Sequence, residues 1–323
     1  MKKKLSYIIG SALLIIAACI IGGGIFMVNF ALSPENRGKD METSMAYMRE
    51  TYPQINEWID SLQQHNALKD TFLTAPDGTP LHAFYARSSK PTAKTAVIIH
   101  GYTDNAIRMF HIGYLYNSSL DYNILLPDLR YSGLSGGKAI QMGWLDRLDV
   151  LQWLNTTPRI FGDSLRVVVH GISMGAATTM MLSGENLPDY VRCFVEDCGY
   201  TSVWDQFKKE LHEQFGLPAF PLLYAASGIC DLKYKWNFKE ASSVTQIKKC
   251  TKPMFFIHGD QDFFVPTSMV YQLYDSKPQP KALWIVPKAG HADSYRLYPS
   301  EYTRRVKSFT ETYLSNHSTE ALR

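Results

Sequence analysis

Ser173 stands in Gly171-Ile-Ser173-Met-Gly175, between the β-branched run Arg166-Val-Val-Val-His170 and the helix-forming run Ala176 to Leu182. This is the G-x-S-x-G pattern of a nucleophile elbow, a sharp strand-to-helix turn that presents a serine hydroxyl. The turn strains the serine backbone and needs small neighbours two residues to either side. The helix that follows aims its N-terminal N–H groups at the serine, which favours negative charge there.

A serine hydroxyl becomes a nucleophile only when an oriented base takes its proton. On a strand-turn-helix frame of this kind, the acid and then the histidine follow the serine in the chain. The loop after the apolar run Met254 to Ile257 carries two acids, in His258-Gly259-Asp260-Gln261-Asp262. The loop after Ala282 to Val286 carries Gly290-His291-Ala292-Asp293. Asp197, which ends Val191-Arg-Cys-Phe-Val-Glu-Asp197, is a further source of the acid, and Asp293 reads as a turn former.

The elements that must hold these residues repeat. Thr95 to Gly101, Val167 to Gly171 and Met254 to Gly259 are each an apolar run ending in His-Gly, and each is followed by a helical pattern. That is the rhythm of a buried, mostly parallel sheet with helices on both faces. Ligand sites in such sheets lie beyond the carboxyl ends of the strands. His100, His170 and His258, at those ends, read as hydrogen-bonded packing residues. Further strands are expected at Tyr122–Leu126, Val191–Val195 and Ala282–Val286, and helices at Ile107–Tyr116, Trp144–Leu154, Met174–Ser183, Ser268–Tyr274 and Glu301–Leu314. Phe72 to Tyr85 reads as a hairpin with a Pro-Asp-Gly turn.

Two regions break the rhythm. From Asp40 to Leu68, the spacing of Met41, Met45, Met48, Tyr52, Ile55, Trp58, Ile59 and Leu62 gives amphipathic helices interrupted near Pro53, most simply a brace on the core. From Ser202 to Thr245 there is no strand pattern. That stretch is rich in Trp204, Phe207, Phe215, Phe220, Tyr224, Tyr234, Trp236 and Phe238, as expected of a helical cap with its own apolar packing and an apolar or aromatic substrate surface.

The amino end is Met1-Lys2-Lys3-Lys4 followed by an uncharged run from Leu5 to Leu32. It exceeds the about 20 apolar residues that cross a bilayer. The lysines face a charge-balanced flank (Glu35, Arg37, Lys39, Asp40), so the positive-inside rule places the amino terminus in the cytoplasm and the rest of the chain outside it. A cleaved signal peptide and a lipidated Cys19 in Ile16-Ala17-Ala18-Cys19 are the alternatives.

The chain has 323 residues, 46% of them apolar, enough for a full core. A net charge of +3 without a basic run argues against nucleic acid. Zinc-protease, phosphate-loop and dinucleotide glycine motifs are absent, and the histidine spacings put no two on one face, so no metal or cofactor is implied. Four of the five cysteines, Cys193, Cys198, Cys230 and Cys250, fall in the outward part, where they could form two disulfides or stay buried as thiols.

Taken in order, His100-Gly101-Tyr102, Asp128-Leu-Arg130-Tyr-Ser-Gly133, Gly171-Ile-Ser173-Met-Gly175, His258-Gly-Asp-Gln-Asp262-Phe-Phe-Val-Pro266 and Gly290-His291 resemble the sequence blocks of the α/β-hydrolase superfamily. The pattern is similar to bacterial membrane-anchored esterases, lipases and acylaminopeptidase-like members, and it covers about Phe72 to Leu314. The resemblance implies Ser173 as nucleophile, Asp262 as acid and His291 as base. It also implies the backbone N–H groups of Tyr102 and Met174 as oxyanion donors. Asp262 rather than Asp260 takes the family's position in His-Gly-x-x-Asp. A serine at the elbow sets the chain apart from dehalogenases and epoxide hydrolases, which have a carboxylate there.

The expected layout is an anchor over 1–32, a linker with amphipathic helices over 33–67, a hydrolase core over 68–201 and 246–316, a helical cap over 202–245 and a tail over 317–323. The expected activity is hydrolysis of a carboxylic ester or related acyl bond. A peptidase and an acyltransferase are the alternatives on the same triad, and a non-catalytic binding protein is the rival from outside enzymes.

Overall fold

The lysine-flanked apolar run forms one helix, α1 (Lys2–Leu32), and Lys3–Leu32 is long and apolar enough to cross a membrane. The computed structural model describes residues 2–35 and 40–315. The tail over 317–323 and the charges at Arg37 and Lys39 lie outside them. The described chain forms two compact units, one built of residues up to Glu35 together with Ser202–Ser242, the other of the remaining described residues.

In the larger unit, α2 (Met41–Thr51) starts at Asp40, whose side chain accepts from the backbone N–H of Thr43 at 2.9 Å, an N-cap. At Pro53 the helix gives way to one 3-10 turn, because proline has no N–H to continue the ladder. It resumes as α3 (Asn56–Gln64). The apolar faces of both helices, Met48, Tyr52, Ile55, Trp58, Ile59 and Leu62, are buried in the same core as sheet residues Ile98, Ile124 and Val168.

The hairpin β1 (Lys69–Thr74) and β2 (Pro80–Ala86) follows, then β3 (Lys94–Ile99), α4 (Phe110–Tyr114), β4 (Asn123–Pro127), α5 (Asp146–Phe161), β5 (Arg166–Ile172), α6 (Met174–Leu182) and β6 (Val191–Asp197). Two helices of the smaller unit come next, α7 (Val203–Phe215) and α8 (Leu222–Tyr234). The larger unit ends with α9 (Ser243–Ile247), β7 (Met254–Gly259), α10 (Ser268–Ser276), β8 (Lys281–Val286), α11 (Ser294–Leu297) and α12 (Pro299–Leu314).

The eight strands form one sheet in the order β1-β2-β4-β3-β5-β6-β7-β8. The hairpin is antiparallel to itself and to β4; every pairing from β4 to β8 is parallel. Val167, Val168 and Val169 are fully buried, which is why β5 reads as a continuous apolar run rather than an alternating one. Helix α5 runs seven residues past its expected end at Leu154, through Pro158 in its last turns, and stops at Gly162. The preceding Asn155-Thr-Thr-Pro158 reads locally as a break, whereas burial of Trp153, Leu154 and Thr157 keeps the helix going.

The smaller unit contains no strand among its described residues. Helix α7 is capped by Ser202, whose hydroxyl accepts from Asp205 N–H at 3.0 Å, and it ends at Gly216 in the left-handed region. Trp204 packs edge-on against Tyr224, and Phe207 against Phe238, so part of the aromatic set is internal packing. All five cysteines are free thiols, and Cys193, Cys198, Cys230 and Cys250 are buried.

Candidate active site

Ser173 lies at the hinge between β5 and α6 with φ +58° and ψ −119°, a backbone state that side chains rarely adopt. Its neighbours explain how the turn closes. A Cβ added at Gly171 would sit 2.0 Å from the carbonyl oxygen of Gly175, and one added at Gly175 would sit 2.1 Å from that of Ile99. Only glycine lets these backbones approach. Ser173 N–H donates to the Asp197 carbonyl at 2.8 Å, which ties the elbow to the end of β6.

His291, on the loop after β8, bridges the other two groups. Its Nε2 is 2.8 Å from Ser173 Oγ and its Nδ1 is 2.7 Å from Asp262 Oδ2. Asp262, on the loop after β7, is buried, and its Oδ1 accepts from the backbone N–H groups of Phe264 and Val265 at 3.0 and 2.9 Å. Burial alone would raise its carboxyl. Hydrogen bonding to His258 and His291 outweighs that and lowers it to about 2. Asp262 is therefore a carboxylate at neutral pH, and His291 Nδ1 must carry the hydrogen it shares. That leaves Nε2 as the lone-pair nitrogen facing the serine.

The other acids are occupied elsewhere. Asp260 accepts from Lys288 N–H at 2.6 Å and fastens its own loop. Asp197 accepts from the Tyr302 and Ser294 hydroxyls at 3.0 and 3.2 Å, and burial pushes it up to about 6. Asp293 pairs with Arg296 at 2.8 Å. Two of the three strand-end histidines, His100 and His170, are packing groups, whereas His258 Nε2 also lies 3.3 Å from Asp262 Oδ2 and helps hold that carboxylate, a correction to the packing role expected of it. His100 Nε2 accepts from Leu129 N–H, His170 bonds Tyr116 and Tyr302, and His258 Nε2 donates to the Val265 carbonyl.

Tyr102 and Ser173 line one cavity of about 350 Å³, and a Cβ on Gly101 would touch the Ser173 Cβ at 3.6 Å. Asp128, from the fourth-strand block, holds this loop in place. It accepts from Ala106 N–H at 2.7 Å and Leu134 N–H at 2.9 Å, and its Oδ2 is 2.7 Å from His82 Nδ1. Met174, buried, is the first residue of α6, so its N–H belongs to the unpaired first turn beside the serine.

The same cavity has walls that the sequence did not assign to a site. Tyr47 and Tyr52, from α2 and its end, line it with Phe264, Arg108 and Arg296. Tyr52 stacks on His111 at 4.6 Å, the Arg108 guanidinium lies 3.5 Å over the Tyr47 ring, and Phe264 packs 4.9 Å from the His291 ring. Burial lowers His111 to about 3, so it is neutral and not a second base. Among the described residues, Cys198, Asp262 and His291 bring possible metal-ligand atoms within 4.8 Å of one another. Both His291 nitrogens are already committed to Ser173 and Asp262, and burial raises the Cys198 thiol well above its usual range. The arrangement suits a proton relay better than a cation.

The comparisons agree with this frame. The model of the prolyl oligopeptidase family matches residues 137–317, more than half of the chain. An uncharacterized Bacillus subtilis protein, YqkD, is 31% identical over 71% of this chain and 74% of its own length. Mouse α/β hydrolase domain-containing protein 17C is 24% identical over 80% of this chain and 73% of its own. Among solved structures, a Pyrococcus furiosus esterase, Pf2001, superposes with a TM-score of 0.62 at 23% identity, covering 77% of this chain and 93% of that one. The Pyrococcus horikoshii acylaminoacyl peptidase gives 0.56 at 17% identity, covering 78% of this chain and 42% of that one. The sheet order, the elbow and the matched family model lead to one conclusion: the chain belongs to the prolyl oligopeptidase family, within the α/β-hydrolase superfamily.

Proposed function

We propose that the protein is a membrane-anchored serine hydrolase that cleaves a carboxylic ester or a related acyl bond. The observation that carries this reading is the continuous line Ser173 Oγ, His291 Nε2, His291 Nδ1, Asp262 Oδ2, with contacts of 2.8 and 2.7 Å. Ser173 Oγ attacks the acyl carbonyl as His291 Nε2 takes its proton. Asp262 keeps His291 in that tautomer and stabilises the imidazolium. The backbone N–H groups of Tyr102 and Met174 receive the oxyanion, each contributing about 3 kcal/mol of transition-state stabilisation. His291 then protonates the leaving oxygen, and a water activated by the same imidazole releases the acid from Ser173.

Ester cleavage is preferred because the likeness to the Pyrococcus esterase extends over 93% of that chain. A second reading, cleavage of an acylated or free amino-terminal residue, draws on the matched family and the likeness to an acylaminoacyl peptidase. Anchoring rests on α1, with the lysines at its start and the catalytic part placed outside the cytoplasm. The test is the full chain and its Ser173→Ala variant on p-nitrophenyl esters of graded acyl length, alongside amino-acid anilides. Ester turnover lost in the variant supports the reading. Parent-level turnover by the variant refutes it, and anilides cleaved faster than every ester would replace it with the peptidase.

A further inference from the structure

From the packing of α1 against α8 we infer that the smaller unit is itself a membrane-binding element. The leading half of α8 and the α7–α8 turn seat in the lipid interface of a bilayer. This rests on the reading of α1 as a membrane span.

Helix α1 has 31 residues and is about 46 Å long at 1.5 Å per residue, against roughly 30 Å of hydrocarbon. About ten residues must therefore emerge into the interface. The two ends of α1 differ in the way this requires. Toward the amino end its apolar side chains are bare, Leu14 being 72% exposed. Toward the carboxyl end Gly24, Val28 and Leu32, four residues apart, are buried. There the small residues bring α1 onto α8. A Cβ on Gly23 would lie 2.9 Å from Leu222 Cδ1, and one on Gly24 would lie 2.8 Å from Ile229 Cδ1 and 3.1 Å from Ala225 Cβ. Close contact through glycine and alanine is how helices pair where lipid removes the hydrophobic drive.

The pairing sets the direction of α8. Leu222 lies at the level of Gly23, whereas Lys233 Nζ donates to Asn29 Oδ1 at 3.0 Å, so the two helices run the same way. The start of α8 is thus the part nearest the span; the turn before it runs back toward Phe215, whose ring lies 5.8 Å from that of Phe30, at about the level of Lys233 and Asn29. Composition follows this axis. Residues 216–230 contain no charged side chain, whereas α7 carries Lys208, Lys209, Glu210 and Glu213 and α8 ends in Asp231 and Lys233. Phe220 is 71% exposed and Tyr224 49%, their rings 5.8 Å apart. Tyr224 also packs against Trp204 and under Lys239 Nζ, so Phe220 is the barer ring; an uncharged helix start with this ring beside a span fits the interfacial belt, where rings sit at headgroup level.

The test uses the full chain in phosphatidylcholine–phosphatidylglycerol vesicles, with Cys19→Ser to remove the exposed thiol. An environment-sensitive fluorophore is placed through Leu14→Cys, Leu217→Cys, Phe220→Cys or Lys208→Cys, one at a time, and quenched by spin-labelled lipid. Positions 217 and 220 should lose about half their emission, position 14 at least as much, and position 208 almost none. Quenching at 14 with none at 217 and 220 overturns the inference and leaves the span intact. No quenching at 14 overturns the span itself. Self-quenching at 220 that grows with protein density, without lipid quenching, assigns the face to a second copy and also overturns the inference.

Discussion

The Asp262 carboxylate stands 2.7 Å from His291 Nδ1 and is held from behind by two backbone N–H groups. This contact decides which ring nitrogen faces Ser173. Asp262→Asn can present an amide N–H to Nδ1 and favour the opposite tautomer. The expected loss of kcat is about 10³- to 10⁴-fold with KM changed little, as for acid-to-amide changes in such triads. Steady-state ester kinetics check it, with circular dichroism confirming the fold.

Asp197→Asn should behave differently. Asp197 accepts from Tyr302 and Ser294, not from His291 Nδ1, and an amide oxygen can keep one of those bonds. Ester hydrolysis should stay within about threefold of the parent, because no transition-state contact is removed. A loss as deep as that of Asp262→Asn would move the acid's role to Asp197.

The depressed Asp262 carboxyl has a consequence for stability. Its folded value, about 2, lies below the usual aspartate value. For an acid shifted this way, the stabilisation is present above the unfolded value of about 4 and is lost as pH falls toward 2. Urea unfolding at several pH values should show a shallower acid slope for Asp262→Asn than for the parent between about pH 4 and 2. Equal slopes would contradict the assignment.

Gly175→Ala forces its Cβ to 2.1 Å from the Ile99 carbonyl, so the elbow cannot keep its geometry. A loss of about 3 kcal/mol or more is expected, together with esterase activity. Gly228→Ala, in α8 with nothing within 4 Å of the new Cβ, should be neutral or stabilising by up to about 1 kcal/mol. Thermal melts of the two variants side by side distinguish a packing need from a general intolerance of alanine.

Tyr47 forms part of the cavity wall while contributing nothing to the relay. Tyr47→Ala should raise KM for aryl esters roughly threefold to tenfold with kcat nearly unchanged, the mark of lost uniform binding. A fall in kcat with KM unchanged would instead place Tyr47 in the transition state.

The placement of the candidate residues was legible because each of them follows an apolar run that had to be a buried strand. Ser173, Asp262 and His291 fall after β5, β7 and β8, and those strands end on one edge of the sheet. The cavity walls were not legible. Tyr47 and Tyr52 belong to a segment whose helical spacing of apolar residues is identical for core packing and for lining a site. Only the three-dimensional stacking of Tyr52 on His111 and of Arg108 on Tyr47 separates the two roles. Gly23 and Gly24 likewise read as filler within an apolar run, because their partner, α8, lies about 200 residues away in the chain. The true end of α5 was hidden by Pro158, whose local signal opposes a helix that tertiary burial sustains.

The most direct measurement is the mass spectrum of the full chain after reaction with a fluorophosphonate, followed by peptide mapping. The expected result is a single stoichiometric adduct on Ser173 that is absent from Ser173→Ala and slowed in His291→Ala. An adduct mapped to a different residue, or an unlabelled parent that still hydrolyses esters, would contradict Ser173 as the nucleophile.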